Sequence, residues 1–149
     1  MRLLVAMDGS DAAENALTYA ADICDATGGS ITVVHAVNPA VYDTGGSAPI
    51  STLSDADRRL VVERIEDAEH RGEQHLSRAT ELAGDLGVSV ETELLYGDPV
   101  HVITDYAEDA DFDTIVVGHR GRSGRADSML GSVAKQIVER ATVPVTVVR

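Results

Sequence analysis

Lysine is almost absent from this chain. Only Lys135 is a lysine; with 11 arginines it faces 25 acidic side chains, 15 of them aspartate, for a formal net charge of -13 over 149 residues. Such a surface repels nucleic acid, whose capture rests on Lys and Arg neutralising phosphates. It also keeps a protein soluble where salt screens the self-repulsion. An ordinary acidic cytosolic protein is the plainer reading, but acidity alone does not remove lysine, so a high-salt host is the expectation. Aromatic residues make up 3%, which leaves Val, Ala, Leu and Ile to build the core. A single cysteine, Cys24, excludes an internal disulfide and offers no metal spacing; a small residue on a buried helix face is its simplest reading. No apolar run approaches the ~20 residues of a membrane span, and the opening MRLLVAMDGS lacks the length and flanks of a signal peptide. The expectation is a soluble cytoplasmic domain covering 1–149, with neither nucleic acid nor membrane as partner.

Short apolar runs alternate with helical patterns. RLLVAM is stopped by Asp8-Gly9-Ser10, and Ser10 caps a helix whose stripe is Ala13, Leu17, Ala20, Ala21 and Cys24, ending at Gly28-Gly29. SITVVHAV is a second β-branched run. Asn38 to Leu53 reads as a long loop. Ser54 caps the longest helix, to about Leu86, with Leu60, Val61, Ile65, Ala68, Leu76, Ala79, Leu82 and Ala83 as its apolar side and Gly72 as a bend. VSVETELL alternates as an edge strand does, Asp98-Pro99 starts a helix, and DTIVV has the form of a buried parallel strand. A helix through VAKQIVERA and the strand PVTVV follow. This alternation predicts an α/β fold, a single open doubly wound five-stranded parallel sheet with helices on both faces.

In such sheets ligands bind outside the carboxyl ends of the strands, where the strand order reverses. That crevice lies between the first and fourth strands. Its expected lining is Met7-Asp8-Gly9-Ser10 and Gly118-His119-Arg120-Gly121, with His35-Ala36-Val37 nearby. The stretch GHRGRSGRADSMLGS, Gly118–Ser132, occupies this place. Glycines admit a phosphate close to backbone N–H groups, and the following helix start adds unpaired N–H groups and partial positive charge. Ser132 offers a hydroxyl; Arg120, Arg122 and Arg125 offer charge, with no acid before Asp127. No Walker-type G-x-x-x-x-G-K-[ST] and no dinucleotide G-x-G-x-x-G follows a strand.

The spacing Gly118-x2-Gly121-x9-Gly131-Ser132 resembles the G-x2-G-x9-G-[S/T] pattern of the ATP-binding branch of the universal stress protein family. LLVAMDGSDAAENAL, VVHAV, GDP, TIVVGHRGRSG, LGSVA and VPVTVV stand where that family has its landmarks. The resemblance implies strand order 3-2-1-4-5, a homodimer, and ATP (or ADP/AMP) in the crevice. Carried over, Asp8 with the backbone at Ala6 and Met7 holds the adenosine end, and Ala36 offers backbone groups to the adenine. Gly118, His119, Gly121, Gly131, Ser132 and Val133 surround ribose and phosphates, with Arg120 at a variable position beside them. Mg²⁺ bridges the phosphates, as it usually does. The apolar last strand, Val143–Arg149, is the expected dimer edge.

Each residue also has a plainer reading. Asp8 orders a turn, Gly118 and Gly121 are turn glycines, Ser132 starts a helix, and His119 faces solvent. His35 is a core or interface histidine. His70, His75 and His101 are surface or satisfied residues without metal-ligand spacing. No nucleophile–base pair stands out, and His119 is the one candidate near the phosphates for slow hydrolysis. The sequence therefore reads as an ATP-binding stress-response module whose nucleotide state a partner senses. A slow ATPase or phosphotransferase, and a nucleotide-free dimerisation module, are the alternatives.

Overall fold

The computed structural model describes the backbone of residues 1–39, 55–121 and 130–149, and the side chains of all these except 55–64. The expected Ser54 cap, the apolar positions Leu60 and Val61, most of the loop from Asn38 to Leu53, and Arg122, Arg125 and Asp127 lie outside the described side chains. Within it run β1 (Arg2–Ala6), α1 (Asp11–Thr27), β2 (Ser30–Val37), α2 (Asp55–Asp85), β3 (Val90–Tyr96), α3 (Pro99–Asp109), β4 (Thr114–Gly118), α4 (Ser132–Arg140) and β5 (Val145–Val148).

The five strands form one sheet of order β3-β2-β1-β4-β5, with every neighbouring pair parallel. Alternation of side chains divides the core in two. Leu3, Val5, Ile31, Val33 and Val116 face α1 and α2. Leu4, Val34, Ile115 and Val117 face α3 and α4, with Phe112 completing that layer. The order reverses between β1, which runs on to β2, and β4, which runs on to β5.

Local chemistry sets the helix bounds. Ser10 caps α1 by accepting a hydrogen bond from the Ala13 N–H at 3.1 Å, and Gly28 ends it in the left-handed conformation, φ 68°. The buried stripe of α1 is Ala13, Ala16, Leu17, Ala20 and Ala21. Four of these five are alanines, so the helix axis lies close over the sheet. Asp98 caps α3, accepting from the His101 N–H at 3.2 Å, with Pro99 at the first helical position. The hydrogen bond from the His101 ring, then that from its backbone, holds the Asp98 carboxyl below its ordinary value. The half-exposed edge strand read from VSVETELL is β3, whose Glu91, Thr92 and Glu93 are exposed. Arg2 pins the start of β1 by bonding the Ala110 and Asp111 carbonyls and lying 4.7 Å from the ring centre of Phe112.

Gly72, expected to mark a bend, serves packing inside the continuous helix α2. A Cβ there would lie 2.7 Å from His35 Cδ2 and 2.9 Å from Leu94 Cδ1, so its absence lets α2 close onto β2 and β3. At Gly84, in the same helix, a Cβ would have nothing within 4 Å. The pair makes an internal comparison. Gly84→Ala is expected to gain up to about 1 kcal/mol through helix propensity. Gly72→Ala is expected to lose about 1–2 kcal/mol, because His35 is held by a hydrogen bond and cannot swing clear. Urea unfolding of both variants reads the two signs.

Candidate functional site

The carboxyl ends of β1, β2 and β4 open on a cavity of about 290 Å³ at the point of strand reversal, near the lower bound for small-molecule sites. Ala6, Met7 and Asp8 enter from β1 and its turn, Ala36 from β2, and Gly118, Arg120 and Gly121 from the loop after β4. Gly131, Ser132 and Val133 enter from the start of α4. Ten of the eleven residues expected from the sequence thus border one space. Among those eleven the exception is His119, which is outside the lining; of the turn after β1, Ser10 borders the cavity and Gly9, also expected there, does not. Its backbone instead joins two elements: its N–H donates to Val148 O on β5 and its carbonyl accepts from Gly131 N–H at 2.8 Å.

Two turns are stitched across the mouth. Asp8 Oδ1 accepts from Ser10 N–H at 2.9 Å, which fixes the carboxylate. Ser10 Oγ, while capping α1, donates to the Arg120 carbonyl at 3.3 Å. The Asp8 carboxylate lies directly against Gly121, where a Cβ would be 2.8 Å from Oδ2. Gly118 meets backbone: a Cβ there would stand 2.7 Å from Ala12 C and 2.8 Å from Ala13 N. It is the glycine that lets the amino end of α1 rest on the end of β4. α4 follows the N-cap Gly131, which provides no side-chain cap. Gly131, Ser132 and Val133 border the cavity, where a helix start carries unpaired N–H groups and partial positive charge, and Ser132 and Val133 are exposed.

The lining also holds residues that the sequence did not mark. Pro99 and Ile103 of α3, and Ala134 and Ile137 of α4, form an apolar wall. Apolar positions at helical spacing serve a core and a pocket alike, so no sequence signal separates them. His35, placed nearby by topology, lines the cavity and bonds the Met7 carbonyl through Nδ1 at 2.7 Å. His75, read as surface or satisfied, is half-buried with its ring centre 5.3 Å from that of His35. Among the described residues no three His, Cys, Asp or Glu side chains converge as a metal site, and no helix is long and apolar enough to cross a membrane.

The family model described as universal stress protein matches residues 1–149. The chain belongs to the universal stress protein family. Universal stress protein YxiE of Bacillus subtilis is 32% identical over 148 residues, spanning 99% of this chain and 98% of that protein. Among solved structures, the family member UspA from Lactobacillus plantarum superposes with a TM-score of 0.80 at 26% identity, covering 100% of this chain and 97% of the other. A universal stress protein from Archaeoglobus fulgidus in complex with dAMP gives a TM-score of 0.66 at 29% identity, covering 100% and 98%. Another solved universal stress protein, in complex with cAMP, gives a TM-score of 0.66 at 25% identity, covering 100% and 97%.

The two loop glycines are expected to separate stability from binding. Gly118→Ala forces backbone apart and should cost about 1–3 kcal/mol, read as a lower unfolding midpoint. Gly121→Ala meets only a side-chain oxygen and should cost less than about 1 kcal/mol. It should nevertheless displace Asp8 and lower affinity for a cavity ligand about tenfold or more.

Proposed function

We propose that this chain is a homodimeric regulatory module that binds ATP or a related adenine nucleotide, its occupancy read by a protein partner. One observation carries the reading: an apolar cavity, a fixed carboxylate and an uncapped helix start meet at the point of strand reversal. That combination suits a ligand with an apolar ring, a hydroxyl-bearing middle and an anionic end. The relatives in complex with dAMP and cAMP support the adenine class.

In this reading the base lies along the apolar wall, with the Ala36 backbone at its edge. Asp8 accepts a hydrogen bond from the nucleoside, helped by the backbone at Ala6 and Met7. Gly118, Gly121 and Gly131 admit the ribose and phosphates, and Ser132, Val133 and Arg120 supply N–H groups and charge at the anionic end. His119 contributes through its backbone. Mg²⁺ would be carried on phosphate oxygens, its usual mode with nucleotides. We read the site as one for binding rather than hydrolysis; His119, the candidate for slow hydrolysis, is not among the described residues that line the cavity. The dimer forms through Val143–Arg149, where β5 is a sheet edge whose four residues are all half-buried. The lysine-poor acidic surface suits a high-salt cytoplasm.

The test is direct. Protein purified in high KCl without added nucleotide is denatured, and the released small molecules are identified by chromatography and mass. A stoichiometric adenine nucleotide is the expected result, or uptake of added Mg-ATP if the protein emerges empty. Asp8→Ala should then bind about tenfold more weakly or worse, the loss of one charge-assisted hydrogen bond. An empty protein that also ignores Mg-ATP contradicts the proposal and leaves a nucleotide-free dimerisation module.

A further inference from the structure

We propose that the outer edge of β3 is a docking site for a partner protein, which adds an extended, arginine- or lysine-rich segment to the sheet as a further strand. The proposal deepens the partner part of the reading above and does not depend on the nucleotide part.

Backbone geometry supplies the first half of the argument. β3 is the outermost strand on its side of the sheet and, among the described residues, pairs only with β2. Tyr96 stands opposite Val37, and the Gly97 N–H donates to the Val37 carbonyl at 2.9 Å. Residues along a parallel strand turn their N–H and C=O groups alternately to one side and the other. Glu91, Glu93 and Leu95 therefore bond β2, while Val90, Thr92, Leu94 and Tyr96 turn theirs outward. Glu91, Thr92, Glu93 and Tyr96 are exposed. This is an open template for strand addition.

Side chains supply the second half. Alternate residues of β3 point to opposite faces. Val90 and Leu94 pack into the layer under α1 and α2, and Leu95 into the layer under α3 and α4. Glu91 and Glu93 share the face of Leu95. There, after burial, Glu93 and Glu91 push the Tyr106 hydroxyl of α3 above its ordinary value, with Arg2 opposing them. On the other face stands Tyr96, 53% exposed; partial burial and then Glu69 and Glu73 of α2 raise its hydroxyl. An added strand would lie about 4.8 Å beyond β3 and send alternate side chains to these two faces. Both are negative, and the Tyr96 ring gives a guanidinium a surface to stack on.

Charge selects the occupant. A second copy pairing through β3 would bring Glu91 and Glu93 against like charges, which destabilises cross-strand pairs. The other edge, β5, reads VTVV and carries no charge, so the two edges of the sheet admit different strands. Edge glutamates also guard against aggregation, but acid guards against acidic and neutral chains, not basic ones. The edge ends beside the cavity: Leu95 pairs with Ala36, β3 leads through Gly97 and Asp98 to Pro99, and both Ala36 and Pro99 line the cavity.

The probe is a synthetic peptide of alternating arginine and valine, about as long as β3, added to the full chain without nucleotide. It is expected to protect the Thr92, Leu94 and Tyr96 amides from hydrogen exchange and to leave those of Glu93 and Leu95, already bonded to β2, unchanged. The same peptide with methylated backbone amides keeps every charge but loses its donors, and should bind more than about tenfold more weakly. Glu91→Gln with Glu93→Gln should weaken the unmodified peptide about fivefold. Asp22→Asn with Asp25→Asn, which removes the same charge from exposed positions of α1, should weaken it less than about twofold. Equal loss in the two double variants, or equal binding of the methylated peptide, means attraction by overall charge and overturns the proposal. So does a peptide that fails to bind or protects no β3 amide. Each of these outcomes leaves the nucleotide reading to its own assay.

Discussion

The structure depends on how closely two backbones approach at the end of β4. Gly118 allows the first turn of α1 to sit against it, with main-chain atoms where a Cβ would be 2.7–2.8 Å away. The alanines of α1 continue the same close approach along the helix. Because α1 lies low over β1 and β4, Ser10 can cap the helix and still reach the Arg120 carbonyl. That one hydroxyl ties the turn after β1 to the loop after β4. The Asp8 carboxylate is thereby set against Gly121, and the crevice acquires a defined width.

From this constraint the rest of the site follows. The loop after β4 is fixed at its base by His119, whose N–H bonds β5 and whose carbonyl bonds Gly131. Gly131 is the N-cap of α4, so the same bond holds the amino end of α4 in the cavity wall. A carboxylate and a helix start thus border one cleft in a protein of strongly negative charge. In the nucleotide reading proposed above, the helix start offsets, locally, a surface that would otherwise repel a phosphate.

Much of this was legible in the sequence, and for identifiable reasons. Period-2 and period-3.6 patterns placed the nine elements named above. Capping chemistry at Ser10, Gly28 and Asp98 set helix ends that depend on residues only a few positions apart. The glycine spacing after TIVV marked the loop that borders the cavity, and at Gly118 the reason is close backbone approach. What escaped were features that depend on distant partners. Pro99, Ile103 and Ile137 carry no mark that separates a pocket wall from a core. Gly72 suggested a bend, since nothing nearby in sequence reveals His35 and Leu94 against it. The His35–His75 contact joins a strand to a long helix, and only the fold brings them together.

The central claim is that the cleft between Asp8 and the start of α4 receives an adenine nucleotide. Its most direct test is an amide NMR titration of the purified protein with AMP. The account predicts that the N–H resonances of Asp8, Gly121, Ser132 and Val133 shift together and saturate, while those of the β3 edge, Glu91 and Glu93, stay in place. Shifts scattered over the surface, or none at the start of α4, would contradict it.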